Sequence, residues 1–141
     1  MKNAESYLRR MASELLHALG AKGSFAQVFV LKNAEMLSLA RRTGSLPRIK
    51  NTKIGKKLQK ERQVSVLSFP ETVQFPDLKG LRPLGEVYLN YDWAEGKTEV
   101  LVYLLIHGIL HLLGYHHGKK RDTIKMEKLE KHLWRHALLS G

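Results

Sequence analysis

Three histidines of the sequence are spaced so that two lie on one face of a helix and the third follows the end of that helix. They are His107, His111 and His117, within the run HGILHLLGYHH of residues 107–117. Residues four apart project from the same face of a helix, so the imidazoles of His107 and His111 can converge on one ion. Gly114 can adopt the left-handed conformation that ends a helix, which lets His117 approach the same ion from another direction.

This ligand set predicts a catalytic zinc ion. Three neutral nitrogens leave the fourth position of a tetrahedral zinc open to a water, whereas structural sites are closed by four protein ligands, often thiolates. The sequence contains no cysteine, so the ligands must be histidine or carboxylate. We therefore expect one Zn²⁺ per chain, with His107, His111 and His117 acting in catalysis through the water on the metal. Three satisfied core histidines are the alternative, but they would not explain these spacings around a helix-ending glycine.

The same histidine spacing occurs in the metzincin proteases, whose pattern is H-E-x-x-H-x-x-G-x-x-H. The glutamate after the first histidine is the general base of those enzymes. Here that position is Gly108, so peptide hydrolysis by that route is disfavoured. Another carboxylate, such as Glu99, could approach the metal instead. A small zinc metalloprotease is therefore kept as an alternative function.

The charge balance favours a polyanionic partner. There are 24 Lys and Arg against 13 Asp and Glu, a formal net charge of +11. Such a surplus attracts nucleic acid through long-range electrostatics. Residues 43–62 are polar and strongly basic, and their glycines and proline predict a basic loop. The residues that we expect to contact RNA are Lys56, Lys57, Lys60, Arg62, Arg41 and Arg42.

Length and composition predict one cytoplasmic domain over residues 1–141. A chain of 141 residues suits a single hydrophobic core, and 43% apolar with 26% charged residues is ordinary for a globular protein. The long uncharged run of residues 100–117 contains four histidines, which would be costly in a bilayer, so it predicts a buried helix and no membrane partner. The first residues lack the features of a signal peptide, and the absence of cysteine fits a reducing compartment.

Apolar periodicity and turn residues predict the order α-β-α-β-β-α-α. Helices are predicted over residues 4–19 and 34–42, from 99 onward, and over 121–139, and strands over 25–31, 64–69 and 85–90. Gly20 is predicted to end the first helix and Asn33 to cap the second. The order indicates an α/β (α+β) domain with a small mixed sheet of about four strands packed with helices. The metal site would lie on the central helix.

Residues 107–117 resemble the signature H-G-x-L-H-L-x-G-Y-D-H of the YbeY family of bacterial endoribonucleases. Every fixed position matches except the aspartate, which is His116 here. Three further segments carry the resemblance. VSVLSFP of residues 64–70 is similar to T-D-V-L-S-F-P, LGEVYL of residues 84–89 to L-G-D-I-x-I, and MEKLE of residues 126–130 to M-E-x-L-E.

The resemblance implies a metal-dependent hydrolase that cuts single-stranded RNA in the maturation of small-subunit ribosomal RNA. It implies zinc ligation by His107, His111 and His117, and it gives His116 the place of an aspartate that orients a ligand or accepts a proton. The implied partners are the ribosomal RNA precursor and the small ribosomal subunit. The family's arginine in a Y-R-G-x-D stretch has no counterpart at a matching position. The residues that could replace it are Arg41, Arg42, Lys57, Lys60 and Arg62.

Some conspicuous residues have a structural explanation instead. Trp93, Trp134, Phe29 and Phe69 could stack on RNA bases, but we expect them to pack in the core. Ser68 has no adjacent base that would make it a nucleophile, so we expect its hydroxyl to bond to backbone. Beside the hydrolase and the protease, a third function stays open: a non-catalytic RNA- or ribosome-binding protein with a structural metal.

Overall fold

Four helices and three strands make up the part of the chain that the structure describes. That part is residues 2–21, 23–46, 64–71, 82–115 and 120–140 of a computed structural model. The elements are α1 Lys2–Ala18, β1 Ser24–Leu31, α2 Asn33–Arg42, β2 Val66–Pro70, β3 Arg82–Asn90, α3 Thr98–Leu112 and α4 Lys120–Ser140. This is the predicted order, and the predicted α+β class is confirmed.

The strands form one mixed sheet in the order β1-β3-β2. β1 runs parallel to β3, with Val28 opposite Val87, and β2 runs antiparallel to β3, with Ser68 opposite the same residue. The prediction of a mixed sheet is therefore confirmed. The expected number of about four strands is too high for the described ranges, where the chain between β1 and β3 contributes one helix and one strand.

One face of the sheet carries the main core, formed with α1 and α3. Val28 and Val87 point into it from the strands, and Leu15 and Leu105 meet them from the helices; all four side chains are buried. Because α3 is apolar around most of its circumference, it is buried on several sides at once. Among the described residues, no helix is both long enough and apolar enough to cross a bilayer.

The other face of the sheet is covered by α2. Met36 and Ala40 of that helix pack against Leu67, and Tyr88 lies beside them. Side chains alternate along a strand, so Leu67 and Tyr88 face α2, whereas their strand neighbours Ser68 and Val87 face α3. Helices α2 and α3 therefore lie on opposite sides of the sheet.

The start of α2 differs from the prediction. Lys32 occupies the cap position, and Asn33 is the first helical residue. The backbone N–H of Asn33 donates to Asp92 Oδ2 (2.8 Å), and its side-chain Oδ1 accepts from Asn90 Nδ2 (2.9 Å). Asn33 is thus used in a tertiary contact with the buried Asn90, because a short amide can bond a neighbouring segment as readily as its own helix. The prediction for Gly20 is confirmed: α1 ends at Ala18, and Gly20 has φ of 78°.

The aromatic residues divide between packing and exposure. Phe29 stacks on Tyr88 with ring centroids 5.0 Å apart, and Phe69 meets the same ring edge-on. Trp134 is partly buried against the main core. The prediction that these aromatic residues pack in the core is thus confirmed in part. It is wrong for Trp93, which is 43% exposed in the turn after β3.

Candidate metal centre

Helix α3 brings His107 and His111 together at the edge of the sheet. Their Nε2 atoms are 2.9 Å apart, and the ring centroids are separated by 4.5 Å. Both side chains are half-buried. They line a cleft of about 220 Å³ between α3 and β2, together with Val66, Leu67, Ser68 and Pro70. The expectation that the two imidazoles share one helical face is therefore correct.

The two imidazoles suit a small cation. Nitrogens only 2.9 Å apart repel each other through their lone pairs unless a proton or a cation lies between them. Two ligands at 2.0–2.1 Å from a tetrahedral zinc stand about 3.3 Å apart, so the rings would need to separate by only a few tenths of an ångström. Neutral imidazole is also a donor that zinc prefers. The donor type and the spacing of His107 and His111 thus fit a zinc ion.

The chain turns after α3 as the glycine predicts. The helix ends at Leu112, Gly114 has φ of 95°, and the N–H of Tyr115 donates to the carbonyl oxygen of Leu110 at 3.0 Å. His116 and His117 lie outside the described residues. The role of His117 as third ligand and that of His116 in the place of the family's aspartate therefore stay predictions. Within the ranges that the structure describes, no three His, Asp or Glu side chains form a group able to hold a metal.

Gly108 allows α3 to lie directly on the sheet. A Cβ atom at this position would stand 2.6 Å from Val87 Cγ1 and 3.1 Å from Ser68 Oγ. The Ser68 hydroxyl donates to the carbonyl oxygen of Gly108 at 3.1 Å, which confirms the expected bond to backbone. A glutamate at position 108 would therefore push the helix off the sheet. The packing is thus a second argument, beside the sequence, against a glutamate general base of the metzincin type at position 108.

The other carboxylate considered for that role lies elsewhere. Glu99 is in the first turn of α3, about two turns before His107, and it is exposed. It lines a different cleft together with Tyr7, Met11 and Thr98. Glu99 is thus not brought to the histidine pair, which weakens the protease alternative further.

The carboxylate that does lie beside the histidines belongs to α4. Glu130 Oε1 is 3.6 Å from His107 Nδ1, and the Glu130 side chain is 19% exposed. Sequence reasoning missed this residue. A signal was present, because Glu130 follows Met126 by four residues and precedes Leu133 by three, so it shares the helical face of two fully buried residues.

Of the six basic residues expected to contact RNA, the described ranges contain two. Arg41 and Arg42 are exposed in the last turn of α2, on the opposite side of the sheet from the histidines. Lys56, Lys57, Lys60 and Arg62 lie outside the described residues. Contact of all six with RNA, and replacement of the family's arginine by five of them, stay predictions.

Comparison with known proteins identifies the family. The family model described as Endoribonuclease YbeY matches residues 5–137 of the chain. The chain belongs to the YbeY family. Matched relatives bear the name Endoribonuclease YbeY. The relative from Myxococcus xanthus is 37% identical over 83 residues, which are 53% of this chain and 28% of that protein. The relative from Neorickettsia sennetsu is 38% identical over 85 residues, 55% of this chain and 57% of that protein.

A third relative, from Bartonella bacilliformis, is 38% identical over 85 residues, 52% of each chain. The chain thus spans from about a quarter to just over half of the length of these relatives. The family's matched region contains every element from the body of α1 to α4, and so it contains the histidine pair.

Proposed function

We propose that this chain is a zinc-dependent endoribonuclease that cleaves single-stranded RNA in the maturation of ribosomal RNA. The observation that carries the proposal is the pair of Nε2 atoms of His107 and His111, 2.9 Å apart in a cleft beside β2. Membership of a family described as endoribonucleases supports RNA as the substrate. The proposed setting is the cytoplasm, beside the small ribosomal subunit.

The proposed roles follow from the donor atoms. His107 and His111 hold the metal through Nε2, and His117 completes the set of three nitrogens. A zinc ion bound there supplies a Lewis acid for a phosphoryl oxygen and activates water for attack on phosphorus. The helix α3 fixes both imidazoles because Gly108 lies against Val87 and Ser68, so the donors are held in place before substrate arrives.

The shape of the site suits an extended polymer. The cleft lies between α3 and β2, and Val66 and Ser68 of β2 contribute to its walls. A flexible single strand can bring one phosphate to the half-buried imidazoles, whereas a stiff duplex holds its phosphates on a fixed helical surface. The net charge of +11 raises the local concentration of RNA around the chain.

The proposal is tested with three substrates under one set of conditions. Fluorophore-labelled single-stranded RNA, the matching duplex and an unstructured peptide are incubated with purified chain, with and without chelator. We expect cleavage of the single strand alone, its loss with chelator, and its return when zinc is restored. His107→Ala and His111→Ala should abolish cleavage, whereas His17→Ala, an exposed histidine at the end of α1, should not.

The other outcomes identify the alternatives. Cleavage of the peptide without cleavage of RNA would make the chain a metalloprotease. Binding of RNA without cleavage in the presence of zinc would leave a non-catalytic RNA-binding protein. Either result would refute the proposed activity.

The source of RNA affinity is tested by removing equal charge from two places. The loop variant changes Lys56, Lys57, Lys60 and Arg62 to glutamine; the control changes Lys125, Lys128, Lys131 and Arg135 of α4, which are exposed. We expect the loop variant to lose RNA affinity and to show a shallower salt dependence, by about 0.7 per phosphate contact removed. Equal losses in the two variants would mean that total charge, and not the loop, drives binding.

A further inference from the structure

The carboxylate of Glu130 lies beside His107, on the side of the ring away from His111. We propose that Glu130 is the positioning residue of His107: it holds the imidazole proton on Nδ1 and so leaves the Nε2 lone pair for the metal. The inference rests on the proposed function, because it assigns a role to a residue of the same site. It concerns α4, which contributes none of the proposed ligands.

The two nitrogens of the His107 ring have different neighbours. Nε2 faces His111 Nε2 at 2.9 Å, and Nδ1 faces Glu130 Oε1 at 3.6 Å. Neutral imidazole carries one proton, and the nitrogen without it is the metal donor. A carboxylate beside Nδ1 favours the tautomer with the proton there. The ring is therefore prepared for a cation on the side that faces His111.

The burial of Glu130 makes this influence strong. Its Oε1 has less than 1 Å² of accessible surface, and its side chain is less exposed than that of His107, at 19% against 29%. Charge in such a place is weakly screened by water and salt. Removing a carboxylate from water is unfavourable unless a nearby group compensates it, and the imidazole N–H is such a group.

Helix α4 fixes the carboxylate in position. Met126 and Leu133, on the same helical face as Glu130, are both 0% exposed in the main core. Their packing sets the distance between α4 and α3 and with it the approach of Glu130 to His107. A histidine that binds metal commonly donates its other N–H to a carboxylate, and loss of that partner typically weakens metal binding 10- to 100-fold.

A matched control lies one turn away. Glu127 is on the same helix and, like Glu130, lines a second cleft together with Tyr103 and Trp134. It is exposed, unlike Glu130. Glu127→Gln therefore removes the same charge from the same helix without removing the group beside His107.

The experiment measures zinc affinity by competition with a chromophoric chelator, using the full purified chain. We expect Glu130→Gln to bind zinc 10- to 100-fold more weakly, because the amide can donate to Nδ1 and so favours the tautomer with the proton on Nε2. Glu130→Asp, which keeps the charge on a shorter side chain, should lose less. Glu127→Gln should stay within about twofold of the parent chain.

A second readout is independent of zinc. Long-range ¹H–¹⁵N correlation spectra of the metal-free chain report which nitrogen of His107 carries the proton. We expect Nδ1 in the parent chain and in Glu127→Gln, and a shift toward Nε2 in Glu130→Gln. A residue that only supported the fold would change the unfolding temperature and leave this tautomer unchanged.

The outcomes separate the inference from the proposed function. If the parent chain binds zinc and Glu130→Gln has the same affinity and the same His107 tautomer, Glu130 has no positioning role and the proposed function stands. If the parent chain and His107→Ala both fail to bind zinc, the proposed metal site fails and the inference with it. If Glu130→Gln does not fold, the His107 tautomer of the metal-free parent chain decides: a proton on Nε2 overturns the inference, and a proton on Nδ1 together with a reduced zinc affinity of Glu130→Asp at an unchanged unfolding temperature supports it.

Discussion

Replacing Gly108 with alanine tests the contact that holds the histidine helix against the sheet. Helix propensity alone favours alanine by about 1 kcal/mol. The new Cβ, however, would stand 2.6 Å from Val87 Cγ1 and 3.1 Å from Ser68 Oγ. Ordinary carbon contacts are about 3.5–4.0 Å, so α3 would have to move by about 1 Å.

The cost of that movement exceeds the gain in propensity. Val87 is β-branched and fully buried, so it cannot turn out of the way. Overpacking of this kind costs about 1–3 kcal/mol. Loss of the hydrogen bond from Ser68 to the carbonyl oxygen of Gly108 adds about 1 kcal/mol. We therefore expect Gly108→Ala to lower the free energy of unfolding by about 1–3 kcal/mol.

The assay is urea unfolding of the metal-free chain, combined with a double-mutant cycle. Val87→Ala removes the clashing methyl group, so Gly108→Ala should cost less in the Val87→Ala background than in the parent chain. The displaced helix should also bind zinc more weakly. A Gly108→Ala chain as stable as the parent, or more stable, would refute the close packing of α3 on the sheet.

Two further predictions concern Tyr88, on the face of the sheet that α2 covers, and Asn90, which contacts the start of α2. Burial and the hydrogen bond that the Tyr88 hydroxyl donates to Glu86 raise the pKa of Tyr88 to about 12. Ultraviolet titration should then show a tyrosine ionising late, and Tyr88→Phe should remove that component; an unchanged titration would contradict the assignment. Because the pKa is raised on folding, the stability that Tyr88 contributes is present below about pH 10 and is lost as the pH rises toward 12, so Tyr88→Phe should flatten the loss of stability in that window. Asn90→Ala removes the buried partner of the Val64 carbonyl oxygen and of the Trp93 N–H, and it should cost about 2–3 kcal/mol in urea unfolding; a cost near zero would mean that water replaces the amide.

Local patterns predicted the order of the elements and the convergence of two of the three proposed ligands. The face of α1 that Leu8, Met11 and Leu15 form is buried as the 3.6-residue period requires. Residues four apart lie on the same face of any α-helix. The convergence of the His107 and His111 rings could therefore be predicted without knowing how the helices pack.

Contacts between distant segments could not be predicted in the same way. Asn33 has a side chain that often caps helices, but its oxygen accepts a hydrogen bond from Asn90, which lies 57 positions later in the chain. Glu130 lies on an inward helical face, yet only the crossing of α4 against α3 determines that it meets His107. Trp93 is apolar, but it lies in the turn after β3 and stays 43% exposed among the described residues. In each case the outcome depends on which segments meet in space.

The most direct test of the central claim is the metal content of the purified chain. Elemental analysis should find about one zinc per chain, and X-ray absorption should place nitrogen ligands at about 2.0–2.1 Å. His107→Ala and His111→Ala should lose most of the metal, whereas His17→Ala should retain it. A metal-free parent chain, or full zinc content in the His107→Ala and His111→Ala variants, would contradict the proposal that this histidine pair holds the ion.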